Sequence, residues 1–224
     1  MIPQKTVAVL IALMLGLSGC GTDTDATAGA RLTGSILKGV VGQRAQKPVV
    51  AGPPTTQARL AQFKTPMIMA ELPTQGTFTF VVPNGVNGDV ETWASADDKT
   101  ISFRQGIVVA TRGYGPDLMQ STGPTIAQVS SGVGRFERVY YYLDGADQTQ
   151  RRVFDCMLSN LGPDTITVVE RQHTTRHIAE TCTGDSGRFT NEYWFQNGTF
   201  LRKSNQLLNI EWGHFVLSRV IDNG

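Results

Sequence analysis

The chain has 224 residues, with 20 basic and 19 acidic side chains and a formal net charge of +1. This balance excludes the basic surplus that a nucleic-acid-binding face requires, so no nucleic-acid partner is expected. The length is sufficient for one large domain with its own hydrophobic core.

Residues 1–19 have the pattern of a secretory signal peptide. Lys5 supplies the positive start, and residues 7–17 form an apolar run that is too short to span a bilayer. The segment Leu17-Ser18-Gly19-Cys20 is typical of a bacterial lipoprotein, which is cleaved before the cysteine and acylated on its thiol. We therefore expect Cys20 to carry acyl chains, palmitate among them, that hold the protein on a membrane.

Residues 20–55 are predicted to connect this anchor to the folded domain. Residues 21–30 are small and polar without periodicity, which is typical of a flexible tether. A short apolar patch over residues 36–41 indicates one helical segment. Gly21 follows the lipidated cysteine where an aspartate would retain the protein at the inner membrane, so the outer membrane, facing the periplasm, is the expected location.

Cys156 and Cys182 remain once Cys20 is assigned to the lipid. In the oxidising envelope an isolated pair most simply forms a disulfide, which here would close a loop of about 27 residues. The alternative is a metal site with His173 and His177. It is weaker because the thiols are far apart in the sequence, and because residues four apart on a strand are separated by roughly 13 Å. We therefore expect a disulfide, with no metal and no other cofactor.

Strand and turn patterns dominate residues 56–224, where we expect a single β-rich domain. Thr56 is a candidate N-cap for a helical turn that ends by Pro66. Five short β-branched or aromatic runs then follow between residues 67 and 111, with Pro83-Asn84-Gly85 as one of the predicted turns. Pro116-Asp117-Leu118-Met119 predicts a helix start, and a second short helix is expected after Pro124.

Hairpins are predicted for the second half of the chain. Gly162-Pro163-Asp164 indicates a turn, whereas residues 165–182 contain no Gly or Pro and are expected to be extended throughout. Asn197-Gly198 is a strong signal for a two-residue hairpin. We therefore predict a mainly β fold, in which a curved antiparallel sheet forms an open half-barrel or a sandwich-like meander with a few short helices.

Two motifs with catalytic associations have simpler structural explanations. Gly184-Asp185-Ser186-Gly187 resembles a serine-protease nucleophile motif, but it is also an ordinary hairpin loop, and no histidine lies in that family's context. Asp97 and Asp98 form an acidic pair, but neighbours on a strand point to opposite faces, so a solvated turn explains them better. We therefore expect no catalytic residue and no enzyme activity.

Aromatic side chains are the best candidates for ligand binding. Consecutive aromatics at 140–142 and 193–195 cannot all enter one core, so one side of each strand must face another layer, a partner protein or a sugar. The candidate binding residues are Trp93, Arg112, Tyr114, Tyr140, Tyr142 and Trp194. Packing across a curved sheet is the alternative for each of them.

Two stretches are more specific than their composition. The first contains Thr92-Trp93 and then Gly106-Ile107-Val108-Val109-Ala110-Thr111-Arg112-Gly113-Tyr114-Gly115-Pro116-Asp117-Leu118-Met119; the second contains Arg188-Phe189-Thr190-Asn191-Glu192-Tyr193-Trp194 and residues 198–206. Together with the leader, they resemble the YjbF/GfcB family of lipoproteins, which is associated with exopolysaccharide and group-four capsule production. The resemblance covers most of the chain from about residue 57 onward.

This resemblance implies an outer-membrane lipoprotein, largely antiparallel β, that assists export or assembly of a surface polysaccharide by binding the polymer or an export-machine protein. It transfers no catalytic residue. A second hypothesis is a carrier for lipid or lipoprotein acyl chains, which would require a continuous apolar cavity. A third, a glycan-modifying enzyme, requires two carboxylates roughly 5 to 9.5 Å apart across a cleft.

Overall fold

The computed structural model describes residues 55–222. The predicted signal peptide, the predicted lipidation site Cys20, and the tether and helical segment predicted before residue 55 all lie outside these residues. Within them the chain forms twelve strands and two short helices. Neither helix has the length or the run of apolar residues needed to cross a membrane.

Antiparallel strands that follow one another along the chain make up most of the structure. The strands are β1 Met67–Leu72, β2 Thr77–Asn87, β3 Val90–Ser95, β4 Thr100–Arg104, β5 Ile107–Arg112, β6 Leu118–Thr122, β7 Arg135–Leu143, β8 Thr149–Val168, β9 Arg171–Gly184, β10 Gly187–Gln196, β11 Phe200–Asn209 and β12 Gly213–Ile221. Helix α1 covers Gln57–Leu60, with Thr56 as its N-cap, and helix α2 covers Ile126–Ser131. The predicted mainly β fold with few short helices is confirmed.

Two predicted elements in the first half of the chain are wrong. Residues 116–119 do not start a helix, because Leu118 begins β6 and its backbone N–H donates to the Thr111 hydroxyl at 3.0 Å. Pro83-Asn84-Gly85 is not a turn. It lies inside β2, where the register with β3 shifts between Pro83 and Gly85, so the strand accommodates the proline at an irregularity.

Two predicted elements in the second half are also wrong. Residues 162–164 are not a turn, since they continue β8 after a register shift between Asn160 and Gly162. Residues 165–182 are not one extended run, because Val169 and Glu170 turn the chain from β8 into β9. Both residues have positive φ, 41° and 65°, and this two-residue turn contains neither glycine nor proline to mark it.

The edges of the sheet are formed by strands that are consecutive in the chain. The strand order is β5-β4-β3-β2-β1-β12-β11-β10-β9-β8-β7-β6, and the sheet curls into a nearly closed barrel shape. At the seam, the Ser121 hydroxyl of β6 donates to the Val108 carbonyl of β5 at 2.9 Å, alongside the bond from Leu118 to Thr111. Side chains therefore hold the seam, whereas backbone ladders join the other neighbouring strands.

A side chain from the opposite wall also supports the edge strand β5. Gln206 on β11 is buried, and its amide accepts from the Val108 N–H and donates to the Gly106 carbonyl, both at 2.9 Å. An unpaired backbone group in a buried edge costs stability comparable to a lost hydrogen bond. Gln206 and Ser121 together satisfy both backbone polar groups of Val108.

Asp117 shapes the loop that connects the two edge strands. Its carboxylate accepts hydrogen bonds from the backbone N–H groups of Gly113 and Tyr114, at 2.7 and 3.0 Å, and from the Thr111 hydroxyl at 3.0 Å. Gly113 and Gly115 have φ values of 85° and 75°, which glycine adopts without the steric cost of a side chain. The loop is therefore fixed by one carboxylate at the top of the seam.

The interior contains a charged network among its apolar side chains. Arg138 donates to the two carboxylate oxygens of Glu180 at 2.6 and 2.9 Å, and the Tyr193 hydroxyl and the Asn191 amide donate to the same carboxylate at 2.6 and 2.9 Å. All four side chains belong to residues that are at most 1% exposed. Burial alone would lower the pKa of Arg138, but the charge of Glu180 raises that pKa well above its ordinary value.

The predicted disulfide lies beside this network. Cys156 on β8 and Cys182 on β9 are directly opposite each other and are joined by a disulfide bond. With Glu180 they form the group of three potential metal ligands found among residues 55–222. Because the sulfurs are bonded to each other and the carboxylate oxygens accept four hydrogen bonds, this group has no ligand atoms available for a metal ion.

Replacement of Glu180 by Gln tests the contribution of the network to stability. The substitution leaves the buried Arg138 cation without its counter-charge, so we expect a loss of about 3–5 kcal/mol in the free energy of unfolding, measured by urea denaturation. The control is Asp89→Asn, which breaks the exposed pair with Arg104 at 2.7 Å and should cost less than about 1 kcal/mol. Equal losses in the two variants would contradict a special role for the buried pair.

Replacement of Asp117 by Ala tests the seam. Loss of a carboxylate that accepts three hydrogen bonds should cost about 1–3 kcal/mol in the free energy of unfolding and increase amide hydrogen exchange in β5 and β6. Asp144→Ala is the matched control. It removes a carboxylate that accepts from the Ala146 and Gln148 N–H groups and the Gln150 amide in the β7–β8 turn, and none of these side-chain bonds reaches β5 or β6. Unchanged exchange in β5 and β6 of the Asp117 variant would show that the loop does not hold the edges together.

Candidate functional site

Four turns surround a cleft at one end of the sheet. Alternate turns of an up-and-down sheet lie at the same end, so the turns β1–β2, β3–β4, β5–β6 and β11–β12 are neighbours although they are far apart in the sequence. The space between them has a volume of about 520 Å³. We name it the Tyr114 cleft, and its principal lining residues are Phe78, Asp97, Lys99, Tyr114, Trp212 and Phe215.

Trp212 packs directly on the loop between the edge strands. A Cβ atom at Gly115 would lie 2.4 Å from the Trp212 ring, so only glycine lets the indole approach this closely. The side-chain amide of Asn209 accepts a hydrogen bond from the backbone N–H of Trp212 at 2.7 Å and donates one to the Pro116 carbonyl at 3.2 Å. The Thr74 hydroxyl, from the β1–β2 turn, donates to the Trp212 carbonyl. Three of the turns are thereby hydrogen-bonded into one rim.

Tyr114 forms the buried side of the cleft. It is 5% exposed, and its ring packs edge to face on Phe215 with centroids 4.9 Å apart. Burial raises the pKa of Tyr114 well above its ordinary value, and nearby Asp97 and Asp117 add to this rise. The hydroxyl is therefore protonated at neutral pH, and it has no hydrogen-bond partner among the residues that the structure describes. A residue that lines the cleft thus carries an unpaired donor, and a ligand reaches this buried hydroxyl only when the side chains that cover it shift.

Charged groups line the open side of the cleft. The Lys99 ammonium is 6.0 Å from the Tyr114 ring centroid and 2.7 Å from the Asp97 carboxylate. Hydrogen bonds from Lys99 and Ser95 lower the pKa of Asp97, so this carboxylate is ionised at neutral pH. Phe78 is 39% exposed and adds apolar surface. Aromatic surface beside donors and acceptors suits a sugar, which presents C–H groups on its faces and hydroxyls at its edges.

Two of the six binding residues predicted from the sequence lie at this end. Tyr114 lines the cleft itself. Arg112 is exposed, and its guanidinium donates to the Leu118 carbonyl at 3.2 Å and to the Thr111 carbonyl, so it braces the base of the same loop. The structure therefore brings these two residues together, as a cleft residue and a residue that supports it.

Three other predicted residues lie in the interior. Trp93, Tyr140 and Tyr142 are buried in one hydrophobic cluster. The Tyr142 hydroxyl donates to the Leu208 carbonyl at 2.7 Å, and the Trp93 indole N–H donates to Glu91 at 3.2 Å. These side chains pack and bond within the domain and do not line the Tyr114 cleft.

Trp194 lies on the outer face of the sheet between two cross-strand neighbours. His177 on β9 stacks on its indole with centroids 4.5 Å apart, and the Lys203 ammonium on β11 is 5.4 Å from the ring centroid. The indole N–H donates to Asp164 at 2.8 Å. Because neighbours on both adjacent strands contact the ring, Trp194 does not present a flat open face to a ligand.

Sequence reasoning missed most of the cleft. Phe78, Lys99, Trp212 and Phe215 were not recognised, and Asp97 was interpreted as part of a solvated turn, which it is. A usable signal was present in the sequence, because a meander of consecutive strands places every second turn at the same end. Applied to the predicted turns, this rule would have placed residues 96–99 beside the loop that carries Tyr114.

Comparisons with known proteins agree with this architecture. Residues 45–218 match the family described as Group 4 capsule polysaccharide lipoprotein gfcB, YjbF. No curated protein matches the chain in sequence. A similar solved structure is that of the hypothetical lipoprotein YmcC from Escherichia coli K12, with a TM-score of 0.67 and 15% identity over 75% of this chain and 89% of that chain. The structural similarity shows a shared fold, and the family match covers most of the chain, so this protein belongs to the YjbF/GfcB family of capsule polysaccharide lipoproteins.

Proposed function

We propose that this protein is a non-enzymatic accessory lipoprotein, anchored in the outer membrane and facing the periplasm, that binds a surface polysaccharide during its export or assembly. Membership of a capsule polysaccharide lipoprotein family supports the pathway. The leader and Cys20 support the lipid anchor. The observation that carries the binding step is the Tyr114 cleft, where aromatic side chains lie beside the Asp97–Lys99 ion pair and the unpaired Tyr114 hydroxyl.

Each part of the cleft has a role in this proposal. Trp212 and Phe78 provide apolar surface for the C–H face of a sugar ring. The Tyr114 hydroxyl donates to a sugar oxygen, which satisfies a buried donor that otherwise costs about 1–3 kcal/mol. Asp97 and Lys99 bond hydroxyl groups at the open side. A cleft open at its rim suits a segment within a polymer, because the chain can continue past it in both directions.

The two alternative functions lack comparable support. An acyl-chain carrier would need a continuous apolar cavity, but the interior of residues 55–222 is occupied by the network around Glu180 and by packed aromatic rings. A glycan-modifying enzyme would need two carboxylates across the cleft, and Asp97 is the one carboxylate among the described residues that line it.

Replacement of Tyr114 by Phe tests the binding step. We expect the affinity for polysaccharide purified from the native host to fall roughly three- to tenfold, because one hydrogen bond is lost. The free energy of unfolding should stay constant or rise, since the hydroxyl has no partner within the described domain. Isothermal titration calorimetry and urea denaturation measure the two quantities. Tyr141→Phe, on the outer face of β7, is the matched control and should not change the affinity.

Replacement of Trp212 by Ala tests the aromatic surface. Affinity for the same polysaccharide should fall by about tenfold or more, because the sugar loses its stacking partner. Trp194→Ala removes an indole from the outer face and should leave affinity unchanged. Wild-type affinity in the Trp212 variant would refute binding at the cleft.

Deletion of the gene should lower the mass of secreted polymer, and unchanged polymer would refute the pathway itself.

A further inference from the structure

A second cavity lies at the opposite end of the sheet. It has a volume of about 580 Å³, and its walls come from α1, the β8–β9 hairpin, β11 and the end of β12. Phe215 in the Tyr114 cleft and Val220 in this cavity are separated along β12 by about 16 Å at the usual strand rise. We name this space the Arg219 cavity, and its polar lining residues are Gln57, Arg171, His173, Arg202, Arg219 and Asp222.

In this cavity the Asp222 carboxylate forms an ion pair with Arg202. Arg202 is buried, and its guanidinium donates to both carboxylate oxygens of Asp222 at 2.8 Å. The same guanidinium also donates to the Gln196 side chain at 2.9 Å and to the Arg219 carbonyl at 3.2 Å. Arg202 and Asp222 therefore neutralise each other and form a rigid part of the wall.

The other two arginines have no such partner. Among residues 55–222, neither the Arg171 nor the Arg219 side chain has a hydrogen bond or ion pair with an acceptor. The Arg219 guanidinium lies 5.4 Å from the Trp93 ring centroid and 5.7 Å from that of Phe200, so aromatic rings hold it in place. Burial lowers the pKa of Arg219, and Glu91 and Asp222 oppose this effect incompletely. The half-buried guanidinium of Arg219 is therefore only partly neutralised by the nearby carboxylates.

Helix α1 closes one side of the cavity. The Gln57 side chain donates to the Val169 carbonyl, and the Gln57 backbone N–H donates to Glu170 at 2.9 Å. Leu60 is buried against the domain. Hydrogen bonds therefore fix this wall of the cavity to the β8–β9 turn. The Arg171 and Arg219 side chains line the same cavity.

We propose that the Arg219 cavity binds an anionic group, a carboxylate or a phosphate, carried by a small polar ligand. Arg171 and Arg219 supply guanidinium N–H groups in the planar fork that matches an oxyanion, and Arg202 is fixed beside them by Asp222. The volume admits a ligand of about the size of one or two sugar rings. This site is separate from the Tyr114 cleft and does not depend on polysaccharide binding there.

Calorimetric titration of the full-length protein in detergent tests this proposal, with inorganic phosphate, glucuronate and glucose as probes. Phosphate or glucuronate should bind, more weakly as sodium chloride is raised, and glucose should not bind. Tighter binding of glucuronate identifies a carboxylate ligand, and tighter binding of phosphate identifies a phosphate ligand. Arg219→Gln and Arg171→Gln should each lower the affinity by roughly tenfold.

Control variants separate the site from general charge. Arg151→Gln removes an exposed cation from β8 outside the cavity and should leave anion affinity unchanged. Tyr114→Phe should also leave it unchanged. Because Arg171 is exposed, its substitution keeps the test valid even where Arg219→Gln impairs folding. The proposal is overturned if neither anion binds, if glucose binds as well as glucuronate, or if Arg171→Gln retains wild-type affinity.

Discussion

Closure of the sheet between β5 and β6 is the constraint on which the geometry of the candidate site depends. These strands are consecutive in the chain, yet they are the two edges of a twelve-stranded sheet, and side chains join them. An open edge with unpaired backbone groups would be costly and prone to pair with other chains. Ser121, Thr111 and Gln206 satisfy those groups, and Asp117 forces the short connection between the edges into a tight loop. That loop carries Tyr114, so the geometry of the cleft follows from the way the sheet closes.

The filled interior determines where a ligand has room to bind. A curved sheet of this size could enclose a central cavity, but Arg138 and Glu180 meet inside it with Asn191 and Tyr193 as additional donors. Removal of any one partner would leave a buried polar group unsatisfied, so the network specifies one arrangement of β7, β9 and β10. The cavities of about 520 and 580 Å³ then lie at the two ends of the sheet, where turns and strand ends leave space.

The sequence allowed correct prediction of the β class, of most strands and of the disulfide, because these depend on local alternation and on the number of cysteines. The errors have a common cause. Pro83 and Gly162 resemble turn residues, but partner strands accommodate them as irregularities within β2 and β8. Val169 and Glu170 resemble strand residues, but the hairpin forces them into a turn. Pairing between strands decided each case, and a single sequence contains little information about pairing.

The candidate site shows the same division between local and long-range information. Tyr114 could be singled out because the adjacent glycines mark a sharp loop. Trp212 could not, since its role depends on a contact with Gly115, almost a hundred positions earlier in the chain. The run of aromatics at 140–142 suggested that Tyr140 and Tyr142 could bind a ligand, but the sheet has an interior wide enough to bury both of them. Composition therefore identified residues able to bind a sugar, and only topology showed which of them face a cleft.

The two ends of the domain differ in chemistry, and helix α1 lies at the end that contains the Arg219 cavity. Helix α1, the first described element, forms part of the wall of the Arg219 cavity. The Tyr114 cleft opens at the other end of β12. Leu217 lies between Phe215 and Arg219 on the same strand and is buried in the core, so packed apolar side chains lie between the two cavities along β12. A polymer held at the cleft would therefore lie at the end of β12 opposite helix α1, and an anion at the Arg219 cavity would bind beside that helix.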